Sequence, residues 1–233
     1  YAGGIGVLTL LATFGFMQEA QTLGVQGWKL IIFTLVFLLC ASQLAMALMN
    51  WLSTLLVKPR LLPRLDYSSG IAPDCRTMVV VPTMLTSVEG VDRLIETLEI
   101  HHLSNRDQHL HFALLTDFRD APEEILPGDP VLLGRVRAGV EMLNRKYRSD
   151  GQDLFFLFHR PRRWNAGEGL WMGYERKRGK LTEFNALLRG GSRECFSEIV
   201  GETAILPAIK YVITLDTDTQ LPRDAARQLV GTM

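Results

Sequence analysis

Residues 77–118 read TMVVVPTMLTSVEGVDRLIETLEIHHLSNRDQHLHFALLTDF and contain a strand, a helix and a second strand. The stretch 77–85 is rich in β-branched and apolar residues and predicts a buried strand, with Pro82 opening its exit loop. From 88 to 103 apolar residues recur at three- and four-residue intervals, which predicts an amphipathic helix. The run HLHFALLTDF at 109–118 predicts a second strand.

This alternation of strands and helices continues along the chain. Residues 132–147 carry apolar side chains on one face and predict a helix, and LFFLF at 154–158 predicts a third strand. Residues 181–188 predict the beginning of another helix, and 209–215 a fourth strand. Strands that alternate with helices favour an α/β fold with a Rossmann-like, mostly parallel sheet. In such sheets, ligands bind beyond the carboxyl ends of the strands.

The N-terminal part of the chain is far more apolar. Residues 28–57, WKLIIFTLVFLLCASQLAMALMNWLSTLLV, carry Lys29 as their single charge. Since about 20 apolar helical residues cross a bilayer, this run predicts a transmembrane helix, with a buried core helix as the alternative. GGIGVLTLLATFGFM at 3–17 predicts a second span, for which a cleaved signal peptide is the alternative. Residues 1–57 are therefore predicted to form a transmembrane helical hairpin.

The segment that follows the apolar region indicates the orientation of the hairpin. Residues 58–75 are rich in Pro, Arg, Ser and Gly and are interpreted as a cytoplasmic linker. Basic residues stand there at Lys58, Arg60 and Arg64. Because positive charge marks the cytoplasmic side, residues 58–233 are expected in the cytoplasm.

The composition of the 233-residue chain excludes some classes of protein. Basic and acidic residues both number 25, so the zero net charge gives no electrostatic reason to bind nucleic acid. Cys40, Cys75 and Cys195 are too widely separated for a zinc or disulfide motif. The five histidines show no ligand spacing with a carboxylate cluster and are interpreted as surface or structural residues. Because the chain opens with Tyr and closes with Gly-Thr-Met, we expect a piece of a longer protein.

The strongest chemical signal is YVITLDTDTQLPRD at 211–224. A predicted strand ends there in Asp216 and Asp218, whose side chains point the same way if the extended backbone continues. Two carboxylates hold a hard divalent cation well, and the cation holds a diphosphate. The same pattern also occurs in solvated turns, so both interpretations stay open.

Three other features suit a nucleotide or sugar. Asp117 ends the second predicted strand, where an Asp accepts hydrogen bonds from a base or ribose or simply caps a turn. The segment ERKRGKLTEFNALLRGG at 175–191 places basic residues just before a predicted helix, which suits phosphate groups or a solvated loop. The aromatic residues Trp164, Trp171 and Tyr174 either stack on sugar or uracil rings or pack the loop.

Taken in order, VVVPTML, LLTDF, GKLTEFNALL and VITLDTDTQLP resemble the motifs of GT-A glycosyltransferases of the family-2 type. More narrowly, RRWNAGEGLWMGYERKRGKLTEFNALLRG followed by LDTDTQLPRD resembles the glycosyltransferase region of cyclic β-1,2-glucan synthases. The resemblance covers residues 76–233, which would be the donor-binding, nucleotide-sugar-binding half of a truncated GT-A domain. It implies a UDP-glucose-dependent, inverting glucosyltransferase, multi-pass in a bacterial inner (cytoplasmic) membrane.

The resemblance also implies roles for single residues. Thr83, Asp117 and Lys180 match positions near the nucleotide. Asp216 and Asp218 match the pair that binds Mg²⁺ or Mn²⁺ and, with it, the UDP diphosphate. Asn185 matches a motif position of structural character. The catalytic residues stay unknown, because the general base of this fold follows the DxD motif at a long interval and is expected beyond Met233. The isolated chain is accordingly expected to be inactive.

The implied partners are UDP-glucose, membrane lipid and a glucan acceptor that grows on the protein itself, with Tyr147 and Tyr174 as candidate attachment sites. The alternative is another family-2-type membrane synthase, making β-1,4- or β-1,3-glucan. A haloacid-dehalogenase-type phosphatase fits less well, because its DxDx[TV] motif would have Gln220 at the final position. An inactive interaction module is a further alternative.

Overall fold

The protein is described by a computed structural model, which covers residues 1–58, 63–148 and 151–233. The chain divides into two compact units, Tyr1–Leu62 and Pro63–Met233. Arg60, one of the basic residues that predict the cytoplasmic side, lies outside the described residues, as does the part of the predicted linker at 59–62.

The first unit consists of the helices α1 (Ala2–Thr22) and α2 (Trp28–Leu56). The two helices pack together, with the rings of Phe16 and Phe37 stacked at 4.2 Å between centroids. Within the described part of the chain, α2 is the one helix that is long and apolar enough to cross a membrane. The predicted helix at 28–57 is confirmed, whereas the second span and the membrane-spanning hairpin stay predictions.

The second unit contains all of the strands that the structure describes. They are β1 (Thr77–Leu85), β2 (Leu110–Phe118), β3 (Phe155–His159), β4 (Arg163–Asn165), β5 (Leu170–Met172), β6 (Glu198–Val200) and β7 (Tyr211–Thr214). Five of them form one sheet in the order β6, β3, β2, β1, β7, while β4 and β5 form a separate antiparallel hairpin. Strands β1, β2, β3 and β7 are parallel, and β6 runs antiparallel to β3. The predicted α/β fold with a mostly parallel sheet is confirmed.

Helices cover both faces of this sheet. They are α3 (Val88–Ser104), α4 (Asp129–Tyr147), α5 (Arg176–Leu188) and α6 (Ala225–Thr232), together with 3-10 turns at Pro73–Cys75 and Thr203–Ala208. Helices α3, α4 and α6 pack on one face, against strand residues such as Val79 and Leu114. Helix α5 packs on the other face, against Val80 and Phe158. Because side chains alternate along a strand, neighbouring residues of β1 enter opposite cores.

The strand order defines where a ligand site is expected. The chain runs from β1 to β2 and β3 on one side of β1, and then returns to place β7 on the other side. The carboxyl end of β1 is therefore a topological switch point, which is where open α/β sheets bind their ligands.

Strand β1 continues through Pro82 to Leu85, so the predicted exit loop at Pro82 is wrong. The carbonyl of Val80 accepts from Leu215 N at 2.9 Å, which shows that this side of β1 faces β7. Pro82 faces the same side two residues later, where β7 has already ended. Its missing N–H therefore removes no bond from the sheet.

Helix α5 begins at Arg176, five residues before the predicted beginning at 181. Its buried residues include Gly179, Lys180 and Phe184. A buried lysine occupies a position that the hydrophobic pattern reserves for an apolar residue, so the pattern conceals the first turns. The basic residues of this segment consequently lie in a helix and not in the predicted loop.

Candidate functional site

Helix α5 brings three of the predicted site residues into contact at the switch point. Lys180 is 3% exposed, and its Nζ atom donates to Asp117 Oδ1 at 2.7 Å. The same ammonium group donates to the carbonyl oxygen of Thr83, at the end of β1. Lys180 thus joins the carboxyl ends of two neighbouring strands.

Arg160 belongs to the same cluster and was not among the residues predicted from the sequence. Its guanidinium donates to Asp117 Oδ2 at 3.1 Å and to Glu183 Oε2 at 2.9 Å. It also donates to the carbonyl oxygens of Tyr174 and Arg176 at 3.2 Å. Arg160 directly follows β3, so the rule that sites lie at strand ends would have identified it.

The centre of the cluster is buried, and its charges are paired. Two buried cations, Lys180 and Arg160, face the buried carboxylate of Asp117 and the partly exposed carboxylate of Glu183, which also pairs with the exposed Arg163. Burial lowers the pKa of the Lys180 amine, and the nearby Asp117 carboxylate opposes that shift. Because each buried charge has a partner, the network tolerates desolvation, and removal of one member would leave an uncompensated charge.

The backbone before α5 approaches this cluster very closely. A Cβ atom on Gly173 would overlap the Asp117 carboxylate, and one on Gly179 would overlap the carbonyl oxygen of Tyr174. Glu175 and Arg176 have positive φ angles of 51° and 46°, which side chains other than glycine rarely adopt. Strained backbone of this kind persists where the surrounding contacts fix it, and it is enriched at functional sites.

The predicted metal pair follows β7 on the same edge of the sheet. Asp216 and Asp218 are both exposed. They lie in a turn closed by the Thr219 N–H donating to the Asp216 carbonyl at 3.0 Å, so the extended backbone that would align them does not continue. Asp216 pairs with Lys177 of α5, whereas Asp218 makes no hydrogen bond or ion pair with any residue the structure describes.

The two aspartates suit a hard cation by their donor chemistry. Exposed carboxylate oxygens are the ligands that Mg²⁺ and Mn²⁺ prefer. Across the described ranges, no group of three or more His, Cys, Asp or Glu side chains converges as a complete metal cage. Asp216 and Asp218 therefore offer a partial ligand set, which fits an ion whose other ligands are phosphate oxygens and water.

A cavity of about 350 Å³ connects the end of β1 with the aspartate loop. Its lining includes Thr83, Thr86, Arg93 and Thr217. Hydroxyl groups and one guanidinium are suitable partners for a phosphorylated ligand. The cavity thus extends from Thr83, one of the predicted nucleotide residues, to Thr217, which lies between the two predicted metal ligands in the sequence.

The two candidate acceptor tyrosines lie at opposite edges of the sheet. Tyr147 ends α4 and donates through its hydroxyl to Glu99 Oε1 at 2.6 Å. It lines a larger cavity, of about 1000 Å³, at the edge where the strands begin, which contains none of the predicted donor residues. Tyr174 lies instead at the switch-point edge, where its carbonyl contacts Arg160.

The described site defines a class of protein: a mixed α/β domain whose switch point gathers a buried Asp–Lys–Arg cluster and an exposed pair of aspartates. No protein-family model matches the chain. It is 40% identical over 225 residues, 97% of its length, to the cyclic beta-(1,2)-glucan synthase NdvB of Rhizobium meliloti (strain 1021). The chain is therefore related to a segment of that synthase, and the predicted resemblance is confirmed. It spans 8% of the length of this relative.

Proposed function

We propose that the second unit is the donor-binding half of a GT-A glycosyltransferase domain in a cyclic β-1,2-glucan synthase. It would bind UDP-glucose, and the complete domain would transfer glucose with inversion to a growing β-1,2-glucan. The observation that carries this proposal is the 40% identity to NdvB over 97% of the chain. The strand-end position of Asp216 and Asp218 supports it, because ligands bind at that edge in such sheets.

The residues of this chain would then act mainly on the leaving group. Asp216 and Asp218 would hold Mg²⁺ or Mn²⁺, which neutralises charge that develops on the departing diphosphate. Lys177 already lies beside Asp216, so its ammonium group adds positive charge at the same place. The general base that activates the acceptor hydroxyl is expected beyond Met233.

Asp117, Thr83 and Lys180 would form the nucleoside side of the site. Each Asp117 oxygen already accepts from a buried cation, and the residue is 2% exposed, so a hydrogen bond from uridine to a remaining lone pair would require a neighbouring group to move aside. Lys180 would keep the ends of β1 and β2 in register for the nucleotide. Lys180 would affect the diphosphate only indirectly, because its ammonium group already donates to Thr83 and Asp117.

The same relationship supports a proposal for the setting of the whole protein. The apolar helix α2 supports attachment to a membrane. We propose that the parent protein is a multi-pass protein of a bacterial inner membrane, with the second unit in the cytoplasm. Its partners would be UDP-glucose, membrane lipid and a glucan acceptor, which in this proposal grows on the protein itself. A synthase of another β-glucan linkage is the nearest alternative.

Substitution of the aspartate pair tests the donor site. Asp216→Asn and Asp218→Asn should each weaken Mn²⁺-dependent UDP binding at least about tenfold, because a neutral amide is a poor ligand for a hard cation. Isothermal titration of the full chain with UDP, with and without Mn²⁺, measures this. Asp224→Asn is the matched control, since Asp224 is a similarly exposed carboxylate outside the pair. Unchanged Mn²⁺-dependent binding in both variants would remove the metal role.

A further inference from the structure

Exposed aromatic side chains of the second unit are concentrated in one short segment. Among its described residues, the large aromatic side chains that are more than half exposed are Trp164 and Tyr174, each at 54%. Both belong to residues 163–174, which contain β4 and β5 and are named here the aromatic hairpin. Exposed aromatic side chains gathered beside a ligand site indicate a binding surface.

The pairing of β4 with β5 fixes the orientation of these rings. Trp164 lies directly opposite Trp171, and opposed residues of an antiparallel pair share one face. The two indole rings meet edge to face, with centroids 5.9 Å apart and planes at 60°. Trp171 is held in turn by Ala121, because the N–H of each donates to the carbonyl of the other at 2.9 Å. Trp164 thus packs against a residue that is itself hydrogen-bonded to the segment after β2.

The aromatic hairpin adjoins the donor cluster. Gly173 packs against the Asp117 carboxylate, and the Tyr174 carbonyl accepts from Arg160 at 3.2 Å. Ala121, which anchors Trp171, follows β2 three residues after its last residue, Phe118. A molecule bound on the exposed rings would therefore lie next to the carboxyl ends of the strands.

The surroundings of the rings suit a carbohydrate better than a protein surface. Trp164 stands between Arg163 and Asn165, and the hairpin turn carries the exposed Glu168. A protein-docking patch is normally a continuous apolar area, whereas here the exposed rings are confined to a short segment that also carries the exposed polar residues Arg163 and Glu168. A pyranose ring needs this combination, because its C–H face is apolar and its hydroxyl groups need hydrogen-bond partners.

We propose that the aromatic hairpin binds the glucan acceptor, with glucose rings stacking on Trp164 and Tyr174. This inference rests on the proposed function, since only a glycosyltransferase presents an acceptor at this edge. The acceptor would then be held by residues that precede α5, while the donor is held by residues at the strand ends and on α5 itself.

The test uses the full chain in lipid nanodiscs, which contain no sugar detergent, titrated with a β-1,2-linked glucohexaose. Trp164→Ala and Tyr174→Ala should each weaken hexaose binding at least about tenfold through loss of stacking. Trp164→Phe should restore most of the affinity, because it keeps an aromatic face. Met142→Ala is the control, since Met142 is exposed on α4 away from the hairpin, and it should bind as the wild type does.

UDP binding with Mn²⁺, measured on the same samples, separates the two hypotheses. If the wild-type chain fails to bind UDP, the proposed function fails. If the wild-type chain binds UDP but does not bind the hexaose, the acceptor role is overturned. It is also overturned if Trp164→Ala binds the hexaose with unchanged affinity. A variant that loses UDP affinity and keeps hexaose affinity would identify the ring as a uracil contact, which also overturns it.

Discussion

Asp117 is the most tightly held carboxylate of the candidate site. It is 2% exposed, and its two oxygens accept from Lys180 at 2.7 Å and from Arg160 at 3.1 Å. An exposed ion pair contributes little to stability, but a buried pair that loses one partner leaves a charge that water cannot reach. The same carboxylate therefore affects both the stability of the second unit and the position of α5.

Removal of this carboxylate should be costly. Asp117→Ala is expected to lower the free energy of unfolding by about 3–5 kcal/mol, because the buried Lys180 loses its carboxylate partner and the buried Arg160 loses one of its two. Chemical denaturation of the solubilised chain measures this value. The matched control is Asp92→Ala, which removes a carboxylate paired with Arg135 at the surface, where the expected change is below about 1 kcal/mol. Equal effects for the two substitutions would show that burial does not set the cost.

At the scale of the element, the strands and helices differ in how well the sequence predicts them. Strands β1, β2, β3 and β7 and helices α3 and α4 were predicted close to their observed bounds, because their apolar residues are buried in a regular pattern. The three-residue strands β4, β5 and β6 are too short to show any period. The beginning of α5 was missed because Lys180, a charged residue, occupies its buried face.

The candidate site was predictable to a similar extent. Thr83 and Asp117 lie close together, as strand-end positions in a parallel sheet imply, and Lys180 of α5, a position taken from the family resemblance, contacts both. Arg160 was not predicted, although it directly follows β3, because Arg162 and Arg163 stand close behind it and only its strand-end position separates it from them. The turn at Asp216 was also not predictable, since the point where a strand ends depends on its partner strand.

The close approach of the segment before α5 gives an element-scale prediction. Gly173→Ala would place a methyl group on the Asp117 carboxylate, so we expect a loss of about 1–3 kcal/mol in stability and weaker UDP binding. Gly167→Ala is the matched control in the same segment. The nearest atom to a Cβ there is 3.4 Å away on the flexible Asn165 side chain, so the thermal midpoint should hardly change. Equal thermal midpoints for Gly173→Ala and Gly167→Ala would contradict the close packing of Gly173 against the Asp117 carboxylate.

At the scale of the whole molecule, buried histidines connect stability with pH. His101, His102, His111 and His159 are all buried, and burial lowers the pKa of each. The pKa falls to about 4 for His111 and for His159. Their interpretation as structural residues fits this burial, because a neutral imidazole can remain inside a core while an imidazolium cannot.

The sign of the pH dependence follows directly. The unfolded chain takes up protons below about pH 6.5, while the folded chain keeps His111 and His159 neutral down to a pKa of about 4. The free energy of unfolding should therefore be highest above pH 6.5. It should fall as the pH drops toward 4, by up to about 3 kcal/mol for each of these two residues. Thermal unfolding at pH 7.5, 6 and 5 measures the decline. His111→Gln should make this decline smaller. A thermal midpoint that stays constant from pH 7.5 to 5 in the wild type would disprove the predicted pH dependence.

The pairing of β1 with β7 also has a kinetic consequence. Thr77 pairs with Tyr211, so the two strands that flank the switch point come from distant parts of the chain. Contacts of such high contact order form slowly, because a long loop must close before they contribute any energy. The apolar helix α2 is complete before any residue of the sheet has been synthesised. In the proposed membrane setting, insertion of α2 would therefore precede assembly of the site, which has to wait for β7 to emerge.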